Sequence, residues 1–358
     1  SHSIEAIVAN VMSCYILIVL YTIVIATSLL AVHSMGLEHQ VRLAAGVYAN
    51  ESTISPEYKN IVLVTACNFG YLNHFHNFKC FVDRLDLKVV AFALDFKTFS
   101  YFKSKSNVTT WNNVYPALYD VGAPEGSSEF RKGSFQKLSV AKFLVVHEVI
   151  KLGYNVLFSD PDVAIVRDPL PQINYTKFDY IHSVNAKCQF TNSWSFRELK
   201  SEGNTGFHFV RSNQNMLKLW AMFLSYASKA DSKFDDQTLF WNFLKRMERN
   251  NRNSVKGISI APQQSCRTPL AKKLPNKIYT CPLDFCSFAS GILGSAVGYE
   301  LASKKIKQQG KVLYTAHANF IVGNSKKQVQ LDSNGYWLAT QLPDETWGGE
   351  CRNFTPSV

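Results

Sequence analysis

Three short apolar runs, each closing on a polar residue and separated by stretches with helical patterning, constrain this chain more than any other feature. Ile61-Val62-Leu63-Val64-Thr65-Ala66 runs into the turn Cys67-Asn68-Phe69-Gly70, Val89-Val90-Ala91-Phe92-Ala93-Leu94 into Asp95, and Tyr154-Asn155-Val156-Leu157-Phe158-Ser159 into Asp160. Continuous apolar runs of this length belong to strands covered on both faces. Between them, Tyr71 to Leu85 reads as helix. Gln136 to Leu152 sets Leu138, Ala141, Val145, Val149 and Leu152 on one helical face, with Gly153 as the stop. Alternation of strand and helix predicts an α/β fold with a mainly parallel sheet. Further strands are expected at Thr205 to Val210, Val255 to Ala261 and Val312 to Ala316, and helices at Asn213 to Ala230 and Asp235 to Arg249. No linker or internal repeat divides this part.

In open α/β sheets ligands bind beyond the carboxyl ends of the strands. Asn68, Asp95 and Asp160 all occupy such ends, as the polar rim of a nucleotide pocket would. Asn and Asp are also preferred helix N-caps, and the pattern leaves both roles open for Asn68 and Asp95. Asp160-Pro161-Asp162 is sharper. Two carboxylates one residue apart, between a buried strand and a second apolar run Val163-Ala164-Ile165-Val166, suit a hard divalent cation such as Mg²⁺ or Mn²⁺, which takes oxygen ligands and bridges protein to phosphate. His317 follows the apolar Val312-Leu313-Tyr314 and lies at another strand end.

The 358 residues carry a formal charge of +11, which favours anionic partners. Zinc-finger spacing, a recognition-helix motif and a basic tail are all missing, so nucleic acid is not an expected partner. From Ala6 to Val32 there is no Asp, Glu, Lys or Arg, and the stretch is long enough to span a bilayer. As anchor or as cleaved leader, it sends the remainder out of the cytosol. The expected organisation is a tail at 1–10, a transmembrane signal anchor at 11–32, a stem at 33–56 and a luminal catalytic domain at 57–358. Asn-x-Ser/Thr acceptors at Asn50, Asn107, Asn174 and Asn353, and 8 cysteines, agree with that compartment.

Lys151-Leu152-Gly153-Tyr154-Asn155-Val156-Leu157-Phe158-Ser159-Asp160-Pro161-Asp162-Val163, continuing to Arg167-Asp168-Pro169-Leu170, resembles the core of the nucleotide-diphospho-sugar transferase family, which includes plant and algal cell-wall xylosyl- and arabinosyltransferases. Three more segments follow in the family's order: Asn204 to Ser212, Asp235-Asp236-Gln237, and His317-Ala318-Asn319-Phe320-Ile321 with Gly323 and Lys326-Lys327 behind it. The similarity spans roughly Ile61 to Leu338. Pro161 departs from it, because an apolar residue such as Val usually separates the two acids.

The resemblance implies a single glycosyltransferase domain of GT-A type, a single-pass type II Golgi membrane enzyme, and a UDP-sugar donor used with Mn²⁺ or Mg²⁺ and retention of configuration. On that resemblance Asp162 is the direct metal ligand, Asp160 serves the metal or the donor ribose, and His317 completes the metal shell. Asp236 and Gln237 lie beside the reacting sugar as the catalytic pair. The donor-binding set is Thr65, Asn68, Asp95, Lys142, Asp160, Asn204, Thr205, Gly206 and Lys326, with Lys327 as the other candidate for the diphosphate. Asp168 reads as a turn cap, and Trp194, Phe196 and Trp241 as core or acceptor-facing aromatics. The expected function is metal-dependent transfer of a pentose or hexose from a UDP-sugar to a glycan or glycoprotein. The alternative is an inactive, transferase-like luminal protein that binds glycans or assembles partners.

Overall fold

The computed structural model describes residues 35–50, 52, 54–122, 135–185, 203–230, 234–249, 258–261, 266, 274–290, 310–319, 321–341 and 350–355. The chain runs from helix α1 (35–44) through β1 (Ile61–Cys67), α2 (Leu72–Arg84), β2 (Val89–Ala93), α3 (Phe96–Lys105), β3 (Val114–Leu118), α4 (Phe135–Lys151), β4 (Asn155–Ser159), β5 (Val163–Ile165), β6 (Tyr180–Val184), β7 (Gly203–Val210), α5 (Gln214–Ala227), α6 (Asp236–Arg249), β8 (Ser259–Ile260), β9 (Lys277–Ile278), β10 (Thr280–Pro282), β11 (Phe288–Ser290) and β12 (Thr315–His317) to α7 (Asn324–Ser333). Seven strands form one sheet in the order β10-β6-β7-β4-β1-β2-β3. Strands β3, β2, β1 and β4 are mutually parallel, β7 runs antiparallel between β4 and β6, and β10 is parallel to β6. The expected α/β architecture is present, with a mainly parallel sheet in which β7 alone of the seven strands runs against the others.

Alternation along the strands builds a core on each face of the sheet. In β1, Ile61, Leu63 and Cys67 join one cluster, whereas Val62, Val64 and Ala66 join the other, as a two-residue side-chain period requires. Helix α2 covers the first face with Phe75, Phe78 and Phe81. The second is covered by Ala141, Val145 and Val149 of α4, Trp220 and Phe223 of α5, and Phe240 and Trp241 of α6. Pro116 sits inside β3, an edge strand, where a missing N–H costs no ladder bond.

The chain changes sheets at the Asp-Pro-Asp segment. β4 ends at Ser159 in the large sheet, and β5 begins at Val163 in a separate three-stranded sheet of order β11-β12-β5. A turn closed by the Val163 N–H donating to the Asp160 carbonyl (3.2 Å) links them. Pro161 is the second residue of that turn, a position its fixed φ favours. The departure from the family pattern thus falls at a turn position that proline suits.

The expected stem is corrected by the structure. Residues 35–44 form a helix whose Leu37, Val41 and Ala44 are buried in the second core, and Val47 is buried in the first. Their i, i+4, i+7 spacing is an amphipathic face hidden among polar residues. The folded unit thus includes residues well before 57. The tail at 1–10 and the anchor at 11–32 lie outside the described residues, and among the described residues no helix is long and apolar enough to cross a membrane. Disulfides join Cys80 to Cys351 and Cys266 to Cys281, whereas Cys67 is a buried thiol.

Candidate active site at the carboxyl edge of the sheet

Pairing of β5 with β12 builds the candidate metal-ligating set. The strands are antiparallel with His317 opposite Val163, and the Ala318 N–H donates to the Asp162 carbonyl (3.1 Å). His317 Nε2 is thereby held 3.2 Å from Asp162 Oδ1. Asp160, at the end of β4, completes the group: one ligand atom from each of Asp160, Asp162 and His317 lies within 4.8 Å of the others. Two carboxylates and an imidazole form a donor set that accepts Mn²⁺ or Mg²⁺. Gly206 keeps the set open. A Cβ there would stand 2.2 Å from His317 Cε1 and 2.7 Å from Asp160 Oδ2, so only glycine allows both side chains to converge.

An irregular strand supplies the adjacent wall. β7 pairs Phe207 with Ser159 of β4, so Gly203 to Gly206 overhang the end of β4. Its pairing with β6 slips between His182, opposite His208, and Ser183, opposite Asn204. Thr205, Gly206 and Phe207 bulge out at that slip, and bulges commonly re-aim side chains at sites. The Gly206 carbonyl accepts the Asp160 N–H (2.6 Å). Thr205 Oγ1 donates to Asp236 Oδ2 (2.7 Å). Lys142 Nζ, from α4, lies 2.8 Å from Asp236 Oδ2, 3.2 Å from Asp160 Oδ2 and 3.3 Å from Thr205 Oγ1. Asp235 caps α6 by accepting the Thr238 N–H (2.7 Å), which leaves the next carboxylate, Asp236, to face Lys142.

These groups line a cleft of about 590 Å³, within the usual range of small-molecule sites. Its charges balance in pairs. Burial opposes the ammonium form of Lys142, but Asp160 and Asp236 outweigh it and raise its pKa. Burial raises the Asp160 carboxyl, Lys142 pulls it down and Asp162 pushes it up, with a net rise. Burial would raise Asp162 as well, yet Lys327, then His317, hold it well below the usual carboxylate range. Lys327 Nζ sits 2.5 Å from Asp162 Oδ2.

Most residues expected from the sequence converge here. Asn68, Lys142, Asp160, Asp162, Asn204, Thr205, Gly206, Asp236, Gln237 and His317 all line the cleft. Three candidates do not belong to it. Asp95 accepts from the Thr98 N–H (2.7 Å) and the Phe69 N–H (2.8 Å), so it caps α3 and anchors the β1 turn. Thr65 is fully buried within β1 on the face covered by α2. Lys326 is exposed, and Lys327 takes the place in the cleft. Helical phase decides between the two lysines: Lys327 is four residues before Leu331, the buried hydrophobic of α7, and so shares its face. That signal was available in the sequence. Asp168 serves as a turn cap, accepting from the Leu170 N–H (3.0 Å) and from the Tyr48 hydroxyl. Trp241 is core. Trp194 and Phe196 lie outside the described residues. Tyr71 and Asn185 line the cleft without having been singled out, because nothing in their local pattern separates them from ordinary surface or loop residues, and Asn319, quoted only as part of the His317 segment, lines it too.

The nucleotide-diphospho-sugar transferase family profile matches residues 85–331. A UDP-galactose:fucoside alpha-3-galactosyltransferase of Dictyostelium discoideum is 23% identical over 306 residues, 78% of this chain and 43% of that protein. The beta-arabinofuranosyltransferase RAY1 of Arabidopsis thaliana is 26% identical over 189 residues, 51% of this chain and 33% of that protein. The chain thus spans less than half the length of either relative. Among solved structures, the bifunctional glycosyltransferase WbbM aligns over 77% of this chain and 50% of its own at 10% identity and a TM-score of 0.44. GlyE of Streptococcus pneumoniae aligns over 76% and 59% at 11% identity and a TM-score of 0.37.

Proposed function

This chain belongs to the nucleotide-diphospho-sugar transferase family, and from that premise we propose that it is a metal-dependent glycosyltransferase of GT-A type. It moves a sugar from a UDP-sugar to a glycan or glycoprotein acceptor with retention of configuration. One observation carries the reading: Asp160, Asp162 and His317 bring ligand atoms within 4.8 Å of one another on the wall of a cleft that also holds Lys142 and Lys327. Such a cluster at the carboxyl edge of an α/β sheet matches the needs of a sugar diphosphate.

Asp160, Asp162 and His317 would hold a divalent cation, Mn²⁺ or Mg²⁺, which supplies Lewis-acid neutralisation of a departing diphosphate. The chain's own residues do the rest. Lys327 offers an ammonium group beside Asp162 to the same developing charge. Lys142 stands between Asp160 and Asp236 and bridges their carboxylates. Asp236, oriented by Thr205 and Lys142, presents negative charge to a sugar carbon that becomes cation-like. Gln237 accepts from Asn204 Nδ2 (3.3 Å) and lies next to Asp236 to orient sugar hydroxyls.

The relatives' names make UDP-galactose with a fucoside, and an arabinofuranosyl donor, the first pairs to try. Residence in the Golgi lumen behind a single-pass anchor is part of the proposal. The Cys80–Cys351 and Cys266–Cys281 disulfides support it, because such bridges persist in oxidising compartments, and Asn50, Asn107 and Asn353 are exposed for glycosylation. The inactive, glycan-binding alternative rested on Pro161, which fits its turn. The test is a panel of UDP-sugars with Mn²⁺. Transfer to acceptor or slow hydrolysis is expected, and an absence of turnover together with an absence of binding rejects the reading.

A further inference from the structure

Beyond the metal-ligating set, four carboxamides form a connected strip along the cleft. Asn185 Oδ1 accepts from Asn204 Nδ2 (3.0 Å) and from Asn319 Nδ2 (3.0 Å). Asn204 Nδ2 also reaches Gln237 Oε1 (3.3 Å), and Asn204 Oδ1 accepts the Gly206 N–H (2.7 Å). The four arrive from different places: Asn185 just after β6, Asn204 in β7, Gln237 in the first turn of α6 and Asn319 after β12. All four line the cleft.

Two donors meet at one oxygen of Asn185, and this fixes which way its amide points. Its Nδ2 is then left over: the atom is shielded from solvent and has no hydrogen-bond partner among the described residues. Buried amide donors are rarely left unmatched, and an unmatched one calls for an explanation such as a ligand. The strip is also uncharged. Both lysines among the described cleft-lining residues are engaged, Lys142 by Asp160 and Asp236 and Lys327 by Asp162. A sugar bearing a carboxylate would enter beside Asp236 with neither of these lysines free to meet it.

We propose that Asn185, Asn204, Gln237 and Asn319 read the hydroxyls of an uncharged donor sugar. Asn185 Nδ2 is the specificity-determining donor, so the site selects neutral hexoses or pentoses against uronic acids. This deepens the UDP-sugar reading and rests on it.

Asn185→Asp is the pointed variant. It keeps the oxygen that accepts from Asn204 and Asn319 and replaces only the unpartnered donor. Titration calorimetry on the full chain with MnCl₂ compares UDP, UDP-glucuronate and the neutral UDP-sugar that the unaltered protein binds most tightly. The expected results are at least about tenfold weaker binding of UDP-glucuronate than of the neutral sugar, and in Asn185→Asp about tenfold loss for the neutral sugar with UDP unchanged. Asn319→Ala, which removes a neighbour of Asn185 and not the donor itself, gives a smaller loss in the same direction and stands in if Asn185→Asp lowers the melting temperature. Equal affinity for UDP-glucuronate, or loss in neither variant, overturns the proposal while UDP still binds. Failure of UDP and every UDP-sugar to bind the unaltered protein overturns the underlying donor reading instead.

Discussion

His317 Nε2 stands 3.2 Å from Asp162 Oδ1, and the contact exists because β5 and β12 pair antiparallel in a small sheet set apart from the main one. Asp160 reaches the same point from the main sheet. The candidate metal centre is therefore a junction between two sheets, and its geometry depends on the turn at Pro161 and on the gap left by Gly206.

Asp162→Ala is expected to remove Mn²⁺-dependent donor binding, with apparent metal affinity falling by more than about 100-fold. His317→Ala weakens it less. Stability should also change, because Lys327 Nζ lies 2.5 Å from Asp162 Oδ2 with only 15% of its side chain exposed. Removing one partner of a buried pair costs about 3–5 kcal/mol. Adding Lys327→Met to Asp162→Ala should recover much of the lost melting temperature without recovering metal binding. A metal titration and a thermal melt on each variant check both parts. Unchanged metal affinity in Asp162→Ala would place the ion elsewhere.

Gly206→Ala tests the gap. The added methyl would sit 2.2 Å from His317 Cε1 and 2.7 Å from Asp160 Oδ2, so one of the two must move. Mn²⁺ affinity is expected to drop about tenfold or more while the secondary structure by circular dichroism stays native. Full metal affinity in this variant would show that the ligands do not converge past Gly206.

Lys142→Met leaves Asp160 and Asp236 facing each other without their shared ammonium. Lys142 is buried between them, so a loss on the order of 3–5 kcal/mol is expected. The double variant Lys142→Met/Asp236→Asn should regain part of it by removing one of the stranded charges. Denaturant midpoints of the two variants decide the matter: equal midpoints would mean that the carboxylates do not repel.

Stability should fall in acid because the burial of two histidines of the sheet disfavours their protonation. Burial pushes His208 down to about 3 and His182 down to about 4, from an ordinary 6.5. Both are packed against Tyr180, and His208 also against Phe143 and Phe158. The unfolded chain takes up a proton at each near pH 6.5, while the folded chain refuses it until about pH 3 to 4. Their contribution is full above about 6.5 and is lost as pH drops below it, by up to about 1.4 kcal/mol per pH unit for each histidine. Urea midpoints at pH 8, 6 and 5 should decline, and His208→Leu should flatten the decline. Parallel pH curves for the two proteins would contradict this.

The C-terminal segment is held by the Cys80–Cys351 disulfide, whose ends are 271 positions apart in the chain. Closing so long a loop restricts the unfolded chain, worth up to about 5 kcal/mol in the loop-entropy account. Cys80→Ser/Cys351→Ser should melt lower than the oxidised protein. Reductant should lower the melting temperature of the unaltered protein further than that of the variant. An equal response would mean that the bridge contributes little.

Much of this fold is legible along the chain because buried strands and amphipathic helices carry their own periods. The first core helices and the strands leading to Asn68 and Asp160 follow from those periods alone, and the Asp-Pro-Asp segment marks itself by breaking an apolar run. Helix α1 escaped notice because only Leu37, Val41 and Ala44 carry its apolar face among polar neighbours. Lys326 was preferred to Lys327 because adjacency says nothing about direction until the phase of α7 is set by Leu331. Asp95 and Thr65 show the opposite limit. Polar residues at strand ends serve caps as readily as ligands, and Thr65, two residues short of the end of β1, is buried within the sheet.

The sequence by itself determined the class of fold and the edge of the sheet where chemistry gathers, because composition and local spacing encode burial and backbone form, and it marked Asp160 and Asp162 as candidate cation ligands, while His317 joined them only through the family resemblance. Only the tertiary structure decided that His317 meets Asp162, that Lys142 stands between Asp160 and Asp236, and that Asn185 joins Asn204 to Asn319. Those relations come from strand pairing across long stretches of chain and from one irregular register in β7, and no local periodicity records which distant segments will become neighbours.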